Sequence, residues 1–202
     1  MPVGVEFRDV GLPESLYCHP LLRRRAWERT IPRWAEASEA VSRVARSLEP
    51  VVGQEVVTLT LEPFGAPSNL SLYLMERSGL RIRLGDVGDG VQSLATLMLL
   101  YEFSRPRALL VDDVESHMNP SALSLLASWL LSRVEEDGIS LLASTHSMEA
   151  ALLLGEVFRE RARVVILALE EGRLRSRALT VDELDELRRA GLDARSAEGV
   201  IL

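Results

Sequence analysis

Between residues 21 and 48, Trp34, Val41, Val44, Ala45 and Leu48 recur at three- and four-residue steps, with Glu36, Glu39, Arg43 and Arg46 opposite. That spacing predicts helix, with Thr30 as a cap and Pro32 in the first turn of a second segment. The period then drops to two. "EVVTLTLEP" sets Val57, Leu59 and Leu61 on one face, "NLSLYLME" does the same with Leu70, Leu72 and Leu74, and "LRIRL" follows. Pro67-Ser68-Asn69 and Ser78-Gly79 punctuate the three, which reads as an antiparallel meander with one wet face.

After Gly90 neither period holds for long. Apolar runs "ALLVDD", "ISLLAST" and "RVVILAL" alternate with the helical stretches "VQSLATLMLLYEF", "NPSALSLLASWLLSRV" and "SMEAALLLGEVF". Strands apolar on both faces, separated by helices, predict a parallel βαβ sheet. Asn119 and Pro120 begin one helix, Ser147 caps another, and Thr180 with Glu183 forms a capping box before a last helix stopped at Gly191. The chain therefore reads as α/β. We expect an N-terminal helical segment over 1–49 and a larger lobe over 50–202, in which the meander gives way to the parallel part near residue 85.

The net charge of −7 argues against a surface that coats nucleic acid or anionic lipid as a whole. Arg23-Arg24-Arg25 is the one local basic run, and such a run also suits a solvated helix face. All 23 basic residues are arginine, so no phosphate-binding lysine exists in these 202 residues. A single cysteine, Cys18, allows no internal disulfide. The N-terminus lacks a basic start followed by an apolar run, and the longest uncharged stretch is too short and polar to span a bilayer. A soluble, cytoplasmic protein is expected.

Candidate chemistry sits where the apolar runs end, since ligands of open parallel sheets bind beyond the carboxyl ends of the strands. Asp112 and Asp113 follow four apolar residues directly, and adjacent carboxylates there are costly unless water, metal or a partner reaches them. Glu115 and His117 add polarity at once. His146 and Ser147 end the next run. Upstream, "RIRLGDVGDGVQSL" carries Gly85 and Gly90 at P-loop spacing, but Val91 and Gln92 stand where Lys and Ser or Thr belong. On its own the glycine cluster fits a lost nucleotide loop, a turn entering a helix, or another phosphate loop.

"LGDVGDGVQSL", "LLVDDVESHMNP" and "LLASTHS", in this order, resemble the C-terminal half of an ABC-type ATPase of the P-loop NTPase fold. The pattern is similar to the stand-alone AAA/ABC ATPases of the overcoming-lysogenization-defect and SMC-like groups, over about residues 50–185. The resemblance implies that Gly88, Asp89, Gly90, Val91 and Gln92 form the signature loop, whose backbone N–H groups at a helix start suit a γ-phosphate. It implies a Walker B pair, with Asp112 holding Mg²⁺ through water and Asp113 at the base position. It makes Ser116 to Pro120 the D-loop and His146 the switch histidine. Asp113 departs from the usual Glu by one methylene. The Walker A half is missing, so ATP and Mg²⁺ require a Walker A-bearing partner.

Three readings stand at this stage. The chain is half of an ATPase completed by a Walker A polypeptide, which predicts an apolar sheet edge and a tendency to oligomerise. Alternatively it is a degenerate, non-catalytic ATPase-like module with a structural or regulatory role. A third reading is a metal-dependent phosphoesterase built on Asp112, Asp113, Glu115, His117 and His146, which requires several carboxylates to converge.

Overall fold

The computed structural model describes residues 14–20, 34, 38–170 and 172–191. Thr30, Pro32 and the Arg23–Arg25 run lie outside the described residues. The chain begins with strand β1 (Ser15–Cys18), helix α1 (Ser38–Ser47) and a single turn α2 (Glu49–Val52). The meander follows as β2 (Val56–Phe64), β3 (Ala66–Glu76) and β4 (Arg81–Arg83). A short α3 (Leu84–Val87) leads into α4 (Asp89–Ser104), then β5 (Ala108–Val111), α5 (Pro120–Asp137), β6 (Ser140–Ala143) and α6 (Met148–Phe158). Strands β7 (Val164–Glu170) and β8 (Arg173–Leu179) and helix α7 (Val181–Arg189) complete it.

Three sheets result. The order β1-β5-β6 is parallel throughout, β2-β3-β4 is the antiparallel meander, and β7 and β8 form an antiparallel hairpin. The α/β class and the meander agree with the sequence pattern. The parallel sheet departs from it in membership. "RVVILAL" does not join the two other apolar runs but pairs with β8, and the third parallel strand comes from Ser15–Cys18, inside the segment read as helical. Four residues are too few to display a period, which is why β1 leaves no trace in the pattern.

Two details of the meander also differ. A bulge between Val56 and Thr58 shifts the register, so Val56 is buried while Val57 is 44% exposed. One extra residue reverses every side chain before it. The turn falls at Gly65, whose φ of 78° suits only glycine well, and Pro67–Asn69 lie within β3.

One core joins most of these elements. Helix α4 runs through its centre, with Val91, Leu94, Ala95, Met98, Leu99 and Tyr101 all buried. Helix α1 packs its Val41, Val44 and Ala45 stripe on the same core, so the 1–49 segment supplies both a strand and a helix to it. Glu102 is buried beneath them and accepts from Arg43 at 2.8 Å and Arg105 at 2.5 Å. A smaller cluster of Met148, Leu152, Leu179 and Leu184 ties α6, the hairpin and α7 together.

The helix ends follow their caps. Asn119 Oδ1 accepts from Ala122 N at 2.8 Å with Pro120 in the first turn, Ser147 Oγ accepts from Ala150 N at 3.2 Å, and the Thr180–Glu183 box closes in both directions. Among the described residues no helix is long and apolar enough to cross a membrane.

Candidate functional site

Strands β5 and β6 are in parallel register, Leu110 opposite Leu142 and Val111 opposite Ala143, so the residues after them emerge side by side. The Ser144 hydroxyl donates to Asp112 Oδ1 and accepts the Asp113 N–H at 3.1 Å. His146 Nε2 lies 3.4 Å from Asp113 Oδ1. The Walker B pair and the switch histidine of the sequence reading therefore meet at one sheet end. His146 presents its ring outward, 89% exposed, where a ligand arriving from outside can reach it.

Asp112 is fixed from both neighbouring strands. Tyr17 Oη, from the end of β1, donates to Asp112 Oδ2 at 2.9 Å, and His19 Nε2 stands 3.7 Å from the same oxygen. The Ser144 hydroxyl foremost, then the Tyr17 hydroxyl and the His19 ring, hold this carboxyl below the ordinary carboxylate range. Reciprocally, the carboxylate pushes the Tyr17 hydroxyl above its usual value, so it stays a donor. Burial pushes the Cys18 thiol up to about 12, which keeps it protonated and removes it from nucleophilic chemistry.

Asp113 has a φ of 47° and His117 one of 63°, both in the left-handed region. Asp tolerates that region better than most residues, and strained backbone there concentrates at functional sites. Glu115 bridges the two loops, its Oε1 accepting the His146 backbone N–H at 2.9 Å. Its other oxygen, Oε2, is buried without a hydrogen-bond partner. An orphaned carboxylate oxygen is costly, and it sits beside the strand ends that carry Asp112 and His146.

The glycine stretch resolves into two unequal parts. Gly85 lies in α3 with open space around it, so its P-loop spacing is incidental. Gly88 has a φ of 133° and breaks α3 from α4, a conformation reserved for glycine. Gly90 lies against the loop after β5: a Cβ there would stand 2.8 Å from the His117 carbonyl oxygen. Of the five loop residues, Asp89 and Gln92 face solvent while Val91 turns into the core. The loop thus abuts Ser116–Pro120, and the first turns of α4 reach the site, since Ser93, Thr96 and Leu97 line a cavity with Asp112, Asp113, Tyr17 and His19.

That cavity holds about 60 Å³, far below what a nucleotide occupies. Among the described residues no three His, Cys, Asp or Glu side chains converge as a metal cage, so the carboxylates there form no two-metal centre. One ionised Asp beside a serine hydroxyl, open to solvent, instead fits Mg²⁺, which keeps most of its waters and takes few protein carboxylates. Tyr17, His19 and Ser144 are the residues that sequence reasoning missed. Tyr17 lies in strand β1 and His19 directly after it, a strand that leaves no pattern in the sequence, and a lone serine such as Ser144 at a strand end carries no signal of its own.

In three-dimensional comparison the chain is similar to the protein of "Structural biochemistry of ATP-driven dimerization and DNA stimulated activation of SMC ATPases", at 13% identity and TM-score 0.54, over 85% of this chain and 98% of that one. It is also similar to the Smc head domain with a coiled coil and joint from Pyrococcus yayanosii, at 14% identity and TM-score 0.53, over 83% of this chain and 31% of that one. A third likeness is to the SmcHead bound to the C-winged helix domain of ScpA, at 15% identity and TM-score 0.50, over 82% and 51%. The chain thus spans only about a third and about half of the latter two. No curated protein matches it. Residues 12–152 match the family described as "AAA domain, putative AbiEii toxin, Type IV TA system", about two thirds of the chain and every motif above from Tyr17 to His146. On that match, and with a fold similar to SMC ATPase heads, the chain belongs to that family of AAA domains and has the ABC-type ATPase architecture.

Proposed function

We propose that this chain supplies one half of an ABC-type ATPase site: the Walker B acids, the signature loop and the switch histidine. A polypeptide bearing a Walker A loop brings the nucleotide to it. The observation that carries this reading is the Asp112–Ser144–Asp113–His146 constellation at the carboxyl ends of β5 and β6. Asp112, kept ionised by its hydroxyl donors, would hold hydrated Mg²⁺, and that ion when bound offsets charge on the phosphates. Asp113 accepts a proton from, or orients, the attacking water, and His146 donates to the terminal phosphate. Gly88, Asp89, Gly90, Val91 and Gln92 offer backbone N–H groups to a phosphate across a subunit seam. The smallness of the cavity beside Asp112 and the absence of lysine support a site that is incomplete within these residues.

The test is phosphate release by the chain assembled with a Walker A-bearing polypeptide. Asp112→Asn is expected to cut turnover about 100-fold or more, a loss of several kcal/mol of transition-state stabilisation, with assembly intact. Unchanged turnover in that variant would remove Asp112 from the chemistry. One observation favours a second reading, a non-catalytic module acting by assembly. The base position carries the shorter Asp113 in left-handed backbone, where its reach toward a water is reduced. Under that reading Asp112→Asn leaves both assembly and the downstream effect untouched, and no turnover is found in either protein.

A further inference from the structure

Beyond the last residues of β5 and β6 the two loops stay joined by a short ladder of hydrogen bonds. Ser144 N donates to Val111 O at 2.9 Å, Val114 N donates to Ser144 O at 3.0 Å, and the Ser144 hydroxyl accepts the Asp113 N–H at 3.1 Å. The next rung is made by a side chain, because Glu115 Oε1 accepts the His146 N–H at 2.9 Å. The carboxylate thus carries the pairing of the two loops past its backbone rungs, and the residue it reaches is the histidine.

That rung is held at a cost. The other oxygen of Glu115, Oε2, is buried and has no hydrogen-bond partner among the described residues. A glutamate on an open loop turns both oxygens to water or to donors, and one that leaves an oxygen buried and unpaired gives up stability. The backbone around it is constrained as well. Glu115 stands between Asp113, with a φ of 47°, and His117, with one of 63°. Two successive turns hold it there, Ser116 N donating to Asp113 O at 2.8 Å and Met118 N to Glu115 O at 3.0 Å. Such conformations persist only where their surroundings over-determine them, and they gather at sites rather than in plain connections.

His146 needs an anchor of this kind. Its ring is 89% exposed, so the turn that carries it decides where the imidazole stands. On the far side of that turn Thr145 Oγ1 accepts the Ser147 N–H at 3.0 Å, and Ser147 caps α6. On the near side the Glu115 carboxylate holds the His146 backbone, and with that bond made Nε2 lies 3.4 Å from Asp113 Oδ1.

We infer that Glu115 is a positioning residue, whose carboxylate tethers the His146 backbone to the loop after β5 and thereby sets the imidazole beside Asp113. The task given to the histidine rests on the half-site reading proposed above, whereas the tether does not. Glu115 acts through His146 and touches no reacting group itself.

Amide exchange followed by NMR on the nitrogen-labelled full chain tests the tether. In Glu115→Ala the His146 N–H is expected to exchange about tenfold faster or more, while the Val114 and Ser144 N–H groups keep their protection. The thermal midpoint is expected not to fall, because the lost hydrogen bond is offset by removal of the unpaired oxygen. Glu115→Gln keeps an acceptor in place and is expected to restore the protection of His146. An unmoved His146 N–H in Glu115→Ala overturns the inference. So does a faster exchange of all three N–H groups with a lowered midpoint, which would make Glu115 a structural residue of its loop. In the complex with a Walker A-bearing polypeptide, Glu115→Ala is expected to lower kcat about tenfold or more with KM unchanged, and Glu115→Gln to recover it. Unchanged kcat in an active complex overturns the positioning role. Exchange as expected with no turnover in any protein, the unsubstituted chain included, leaves the tether standing and removes the half-site reading.

Discussion

At the scale of single residues the site is governed by what holds Asp112. Its folded-state value lies below that of the unfolded chain. The stability it contributes is therefore present above the unfolded value of about 3.9 and is lost as pH falls through the lower folded one. Ser144→Ala and Tyr17→Phe each remove one donor, so each is expected to move the Asp112 titration midpoint upward, Ser144→Ala by more. Carboxyl-carbon NMR of the labelled chain reads this directly, and an unmoved midpoint in both variants would mean that the hydroxyls do not set it. Asp113 poses a different question, because its left-handed backbone suits Asp while the base role proposed for it suits the longer Glu. Asp113→Glu is expected to cost about 1 kcal/mol of stability and to raise turnover of the assembled complex about tenfold. A fall in turnover would show that the shorter side chain is the one the site is built for.

At the scale of elements, the loop after β5 and the start of α4 form one packed unit whose contact point is Gly90. Gly90→Ala forces a Cβ to within 2.8 Å of the His117 carbonyl oxygen, backbone against backbone, where nothing flexible yields. A loss of about 1–3 kcal/mol is expected, which for a chain of this length lowers the midpoint by about 2–4 °C per kcal/mol in a thermal melt. Gly85→Ala is the control: it lies in a helical turn with open space and is expected to be neutral or slightly stabilising. Equal losses in both would mean the loop contact is not formed. The same comparison shows how far the sequence is legible here. The caps at Asn119, Ser147 and Thr180 were readable because a side chain at a fixed offset answers a fixed backbone need. The Asp113–His146 encounter was readable because parallel strands bring their ends together by construction. The bulge at Val56–Thr58 and the role of Gly90 were not, since both depend on a partner distant in sequence. Strand β1 was unreadable for the related reason that four residues acquire strand character only from the β5 register.

At the scale of the whole molecule, stability is unevenly shared, and the unevenness follows the open surfaces. The main core links α1, the meander, α4, α5 and the parallel sheet around side chains such as Leu94, Met98 and Leu126, which are fully buried. The hairpin and α7 hang on a second cluster of four buried residues, Met148, Leu152, Leu179 and Leu184, with the other face of β7 in solvent. Burying an aliphatic side chain stabilises by about 1.5–3 kcal/mol. With Leu179, Leu184 and Ala168 as its buried apolar side chains and Val164, Ile166 and Leu187 only partly covered, this unit is expected to be less stable than the rest. Native-state hydrogen exchange in mild denaturant is therefore expected to show β7, β8 and α7 opening together, several kcal/mol below the global transition that exposes α4 and β5. If instead β7 and α4 exchange at one free energy in the isolated chain, the exposed aliphatic face carries no deficit. The molecule would then be a single cooperative unit that needs nothing to complete it.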